Sequence, residues 1–95
     1  MQPSMDESRV GFVIEGRVQA VGFRWWARRS AIRLGLRGTV RNRTDGSVEI
    51  HASGSPDALQ IFVAALRTGP PGARVDVVRP ITSRGELPAD FRAIL

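Results

Sequence analysis

The chain has 95 residues, a formal charge of +5, fourteen basic residues that are all arginine, and no cysteine. Its length argues for one domain, since a chain of this size buries roughly two-thirds of its unfolded surface around a single core. The composition excludes disulfides, thiolate metal sites and a thiol nucleophile, while His51 alone cannot build a histidine-rich zinc site. The longest apolar run, Ile61 to Leu66, falls far short of the ~20 residues of a membrane helix. A water-soluble cytoplasmic protein with anionic partners is the expectation.

Met1 to Ser8 is polar, acidic and aperiodic, so residues 1–8 are expected to be a flexible tail and residues 9–95 the folded domain. Val10, Phe12 and Ile14 alternate with Gly11, Val13 and Glu15, the period-two pattern of a strand. A loop from Gly16 to Phe23 leads into a helix over Arg24 to Leu34, whose Trp26, Ala27, Ser30, Ala31 and Leu34 share one face, with Gly35 as its terminator. Leu36 to Arg43 and Ser47 to Gly54 read as strands joined through Thr44, Asp45 and Gly46, an Asp-Gly hairpin signal. On the second of these, His51 falls on the face opposite Val48, Ile50 and Ala52.

Ser55 is an N-cap candidate with Pro56 at the first helical position, and Leu59, Phe62, Val63 and Leu66 form the stripe of a second helix ending at Thr68 and Gly69. Valine-rich Arg74 to Ile81 reads as a fourth strand, and Phe91 to Leu95 as a short, weaker one. The order predicts an α+β, ferredoxin-like two-layer sandwich (βαββαβ), with an antiparallel sheet and two helices on one face. The helical crossover makes the first two strands parallel, so their C-terminal ends share one end of the sheet.

The loop at that end, Gly16, Arg17, Val18, Gln19, Ala20, Val21, Gly22 and Phe23, delivers the chain to a helix N-terminus, where backbone N–H groups lack partners and attract anions. Glycines let successive N–H groups converge as an anion nest. Arg24 can add a bidentate fork, although a cation there opposes the helix dipole by roughly 0.3 to 1 kcal/mol. The same residues also read as turn glycines and a solvated charge. Eight arginines and no acid between Arg17 and Arg43 favour the anion site; Arg28, Arg29 and Arg33 are equally accounted for by a solvated helix face.

Asn42 breaks the apolar series begun by Val40. Its place beside a hairpin turn accounts for an asparagine. The parallel crossover also puts it at the end of the sheet that carries the loop, where its amide can donate and accept hydrogen bonds and hold a water beside a bound phosphate.

Gly16-Arg17-Val18-Gln19-Ala20-Val21-Gly22-Phe23-Arg24 resembles the GxVQGVGFR signature of the acylphosphatase family. Leu34 to Asn42, with Asp45-Gly46-Ser47-Val48-Glu49-Ile50, resembles its LGLxGxVxNxxDGxVEI segment, and Gly69 to Val75 is similar to the connection before its fourth strand. The likeness covers about Val10 to Leu95. It implies a small ferredoxin-like hydrolase that cleaves the carboxyl-phosphate bond of acyl phosphates with no metal, cofactor or covalent phosphoenzyme. By the same resemblance Arg24 is the phosphate-binding catalytic arginine and Asn42 orients the attacking water. The backbone amides of Arg17, Val18, Gln19, Ala20, Val21, Gly22 and Phe23 form the phosphate cradle. Ala20 departs from the family's usual glycine, and its methyl group is expected to alter affinity or rate.

The implied partner is a small acyl phosphate, with no nucleic acid, no membrane and a monomeric state. Two other readings remain open: an RNA-binding ferredoxin-like module and a catalytically silent phosphate-binding domain. The first suits the charge but lacks stacking rings on the central strands, since Trp25 and Trp26 fall on the first helix.

Overall fold

The computed structural model describes residues 7–20 and 22–95. The elements are β1 (Ser8–Arg17), α1 (Phe23–Arg33), β2 (Arg37–Asn42), β3 (Val48–Gly54), α2 (Pro56–Thr68), β4 (Arg74–Ile81) and β5 (Phe91–Ile94). The tail expected over residues 1–8 falls on residues 1–6 outside the described residues, while Ser8 already pairs with Gly54 at the start of β1. Each helix begins for a visible reason. Ser55 caps α2, its hydroxyl accepting from the Ala58 amide at 3.2 Å, and Pro56 presets the first turn. α1 begins at Phe23, after the left-handed turn of its N-cap Gly22, with no side-chain cap and no acid in its first turn.

The five strands are ordered β4-β1-β3-β2-β5. β1 and β2 both run antiparallel to β3, and are therefore parallel to each other, as the crossover requires. The sheet is mixed, which corrects the antiparallel expectation: β5 pairs parallel to β2, Phe91 opposite Gly38. The cause lies in the connection. β4 is at one edge and the open edge of β2 is at the other, so the chain crosses the sheet before pairing again and returns in the direction of β2.

Three strands hold that crossing segment. Arg9 donates from Nε to Ser83 Oγ at 2.8 Å and from its other nitrogens to the carbonyls of Arg84 and Gly85. His51 Nδ1 meets Ser83 Oγ at 2.7 Å, and Arg37 donates to the Leu87 carbonyl at 3.0 Å. The segment thus lies on the face bearing Arg9, His51 and Arg37, opposite the helices.

The core sits between sheet and helices. Phe12 and Ile14 from β1, Val40 from β2, Val48, Ile50 and Ala52 from β3 and Phe91 from β5 meet Phe23, Ala27 and Ala31 of α1 and Leu59, Phe62 and Leu66 of α2. Phe62 and Phe91 pack edge to face with centroids 5.9 Å apart. Burying each such ring contributes about 1.5 to 3 kcal/mol. Phe23 is fully enclosed and tilts against Trp26 at 5.3 Å, so the first turn of α1 is fixed by the core it helps to build.

Candidate active site

β1, β2 and β5 run parallel, so their C-terminal ends lie together at one end of the sheet. The loop after β1, the last residue of β2 and the last residue of β5 meet there. At this place Val18, Gln19, Ala20, Gly22, Phe23, Arg24, Trp25 and Asn42 line one small cavity of about 100 Å³. Two of the larger hollows suit an anion less well: one of about 360 Å³ is lined by Glu15 and Asp45, and one of about 340 Å³ by Val10, Pro56, Leu59 and Val63. Like charge repels a phosphate from the first, and the second lacks cationic groups to receive it.

The loop is shaped by backbone geometry. β1 bulges between Glu15 and Gly16, where Gly16 has φ of 132° and a Cβ would lie 2.1 Å from the Arg74 carbonyl oxygen. That glycine is required by the approach of β4. Gly22, at φ 74°, has open space around it and is there for its left-handed conformation alone. Ala20 also takes a left-handed conformation, φ 62°, and is the non-glycine residue with positive φ among the described residues. A methyl group at such a φ costs about 1 to 2 kcal/mol.

The Gln19 side chain anchors the loop. Its Nε2 donates to the carbonyls of Arg43 and Ser47, each at 2.9 Å, tying the loop to the turn between β2 and β3. That turn closes through Arg43 N–H to the Ser47 carbonyl at 2.8 Å, with Gly46 at φ 93°. Asp45 Oδ1 accepts from both the amide and the hydroxyl of Ser47. Those bonds, the hydroxyl first, hold the Asp45 carboxyl below its usual range and keep it charged within the turn.

α1 supplies the remaining polar groups. Its first intrahelical bond runs from the Trp26 amide to the Gly22 carbonyl, so the preceding amides have no partner from within the helix. Arg24 is half-buried, and its Nη1 donates to the Ile94 carbonyl at 2.7 Å, leaving other guanidinium N–H groups for a ligand. Asn42 is exposed at the end of β2 and lines the same cavity. Among the described residues no three His, Asp or Glu side chains gather as a metal site.

The cavity thus brings together Val18, Gln19, Ala20, Gly22, Phe23, Arg24 and Asn42. Arg17 ends β1 opposite Arg74 and is not among the lining residues. Val21 lies outside the described residues. Sequence reasoning missed three contributions: the Gln19 amide as the loop's anchor, the Ile94 carbonyl as a partner of Arg24, and Trp25 at the cavity. Only Trp25 carried a signal, being a large apolar residue off the apolar face of α1.

Residues 10–93 match the acylphosphatase family. The acylphosphatase of Nitrobacter hamburgensis is 52% identical over 84 residues, which span 86% of this chain and 85% of the relative. Among solved structures, an acylphosphatase from Coxiella burnetii superposes with a TM-score of 0.85 at 34% identity, covering 96% of both chains. The acylphosphatase of Bacillus subtilis superposes with a TM-score of 0.78 at 40% identity, over 90% of this chain and 93% of its own. The matched region spans both sheet edges, both helices and the whole loop-and-asparagine cavity, and on these grounds the chain belongs to the acylphosphatase family and is an enzyme of that family.

Proposed function

We propose that the chain hydrolyses the carboxyl-phosphate anhydride of small acyl phosphates to carboxylate and inorganic phosphate, with Arg24 and loop amides holding the phosphoryl group and Asn42 orienting the water. The observation that carries this reading is the shared cavity of Arg24, Asn42 and the loop between Val18 and Phe23. A water oxygen attacks phosphorus as the P–O bond to the acyl group breaks, and the electron pair leaves on the carboxylate. A water proton passes to a phosphoryl oxygen. The carboxylate is stable unprotonated, so no general acid is needed.

What the protein must supply is charge neutralisation and alignment. The guanidinium and N–H groups at the start of α1 provide the first, and the Asn42 amide, able both to donate and to accept, provides the second. Arg17 and Val21 complete the cradle in this reading through their amides, as the family motif implies.

The site asks for no metal, cofactor, nucleic acid or second copy of the chain. The sheet face where a ferredoxin-like domain would stack RNA is crossed by the segment held by Arg9, His51 and Arg37, and its central strand offers His51 rather than a ring of Phe or Trp. No helix among the described residues is long and apolar enough to cross a membrane. We assign the protein to the cytoplasm as a monomer. The test is steady-state hydrolysis of acetyl phosphate with and without a chelator. Turnover unaffected by the chelator is expected; phosphate binding without turnover would instead favour a silent domain.

A further inference from the structure

Trp25 is 58% exposed, although tryptophan is among the side chains that gain most from burial. It follows Arg24 directly and lines the same cavity. Its ring is not loose. The Arg28 guanidinium lies 5.7 Å from the ring centroid, and Arg28 is itself tethered by its Nε donating to the Phe91 carbonyl at 3.1 Å. A cation over the ring, anchored to β5, sets the orientation of an exposed aromatic plane at the edge of the anion site.

Size then decides what that plane meets. A cavity of about 100 Å³ is on the order of a few water molecules. A phosphoryl group and the attacking water fill it, so the organic part of an acyl phosphate must leave across the rim. Among the described residues, the exposed side chains at the cavity are Ala20, Trp25 and Asn42. Of these only Trp25 offers a flat apolar surface as large as an aromatic ring.

Resting on the acyl phosphate reading above, we infer that Trp25 is the platform for the acyl group and makes the enzyme favour flat aromatic acyl phosphates over small aliphatic ones. Arg28 is a positioning residue, acting through the Trp25 ring. Because the ring is already held, little side-chain freedom is lost when an acyl group stacks on it.

The experiment compares kcat/KM for benzoyl phosphate and acetyl phosphate in the parent, Trp25→Ala, Trp25→Leu and Trp25→Phe. The benzoyl-to-acetyl ratio is expected to fall by roughly 5-fold or more in Trp25→Ala, to fall less in Trp25→Leu, and to stay near the parent's in Trp25→Phe. Inhibition by benzoate should weaken with the same order. Loss of folding or of the Arg24 geometry would lower both rates together and leave the ratio alone. A ratio within about twofold of the parent's in Trp25→Ala overturns the inference. If the parent hydrolyses both compounds and the ratio does not move, only the role of Trp25 falls; if it hydrolyses neither, the acyl phosphate reading falls with it.

Discussion

Arg24 donates from Nη1 to the carbonyl oxygen of Ile94 at 2.7 Å, so the end of β5 holds a guanidinium at the start of α1. The contact exists because β5 runs parallel to β2 and ends beside the loop. One nitrogen is used as a tether and the others remain for a ligand, which requires the planar fork of arginine.

Arg24→Lys should therefore lose more than its conserved charge suggests. An ammonium cannot both reach Ile94 and grip two phosphoryl oxygens, and a drop in kcat/KM on the order of 100-fold is expected. Steady-state kinetics on acetyl phosphate measures it. A lysine variant within about threefold of the parent would show that charge alone suffices.

Gln19 faces two carbonyl oxygens and donates to both. Gln19→Leu should cost about 1 to 3 kcal/mol by leaving half-buried acceptors unmade. Gln19→Glu should cost more near neutral pH, since it sets a carboxylate against two carbonyl oxygens, and the gap between the variants should narrow in acid. Urea denaturation of both variants checks the order, and phosphate inhibition should weaken as the loop is released.

Relief of backbone strain is expected at Ala20, whose φ is 62°. Glycine removes about 1 to 2 kcal/mol of left-handed strain and returns roughly 0.4 to 1 kcal/mol through the unfolded chain. Ala20→Gly should thus stabilise by about 0.5 kcal/mol, whereas the β-branched Ala20→Val should destabilise. Thermal melting of the pair reads the sign.

The hydrogen bond from His51, with a further one from Arg41, holds the Glu49 carboxyl below its ordinary value of 4.5 against the effect of burial. A carboxyl depressed in the folded state contributes stability that is fully present above its unfolded pKa and is lost as pH falls through the folded one. Glu49→Gln should cost roughly 1 kcal/mol near pH 7, with the gap to the parent closing below about pH 4. A gap constant with pH would show that the ionised form is not the stabilising one.

Much of this arrangement could be read along the chain because it follows from connectivity. The strand-to-helix junction after Arg17 had to leave amides unpaired, and the helical crossover had to bring Asn42 to the same end of the sheet. Ile94 was out of reach because the direction of β5 depends on the segment from Thr82 to Asp90. That stretch has no periodicity, and its course is set by side-chain bonds from Arg9, His51 and Arg37. Gln19 was opaque for another reason: an amide fits many partners, and only the turn between β2 and β3 selects two carbonyls for it. Helical periodicity put Trp25 off the core, but the neighbour of an exposed face is a tertiary fact.

In the proposed mechanism the cavity divides into a phosphate grip, Arg24 with the loop amides, and a water-orienting group, Asn42. Kinetics of Asn42→Ala with inorganic phosphate as inhibitor tests that division most directly. A fall in kcat of about 100-fold or more, with the inhibition constant for phosphate within about threefold of the parent's, is predicted. Turnover close to the parent's, or phosphate binding lost in step with turnover, would contradict it.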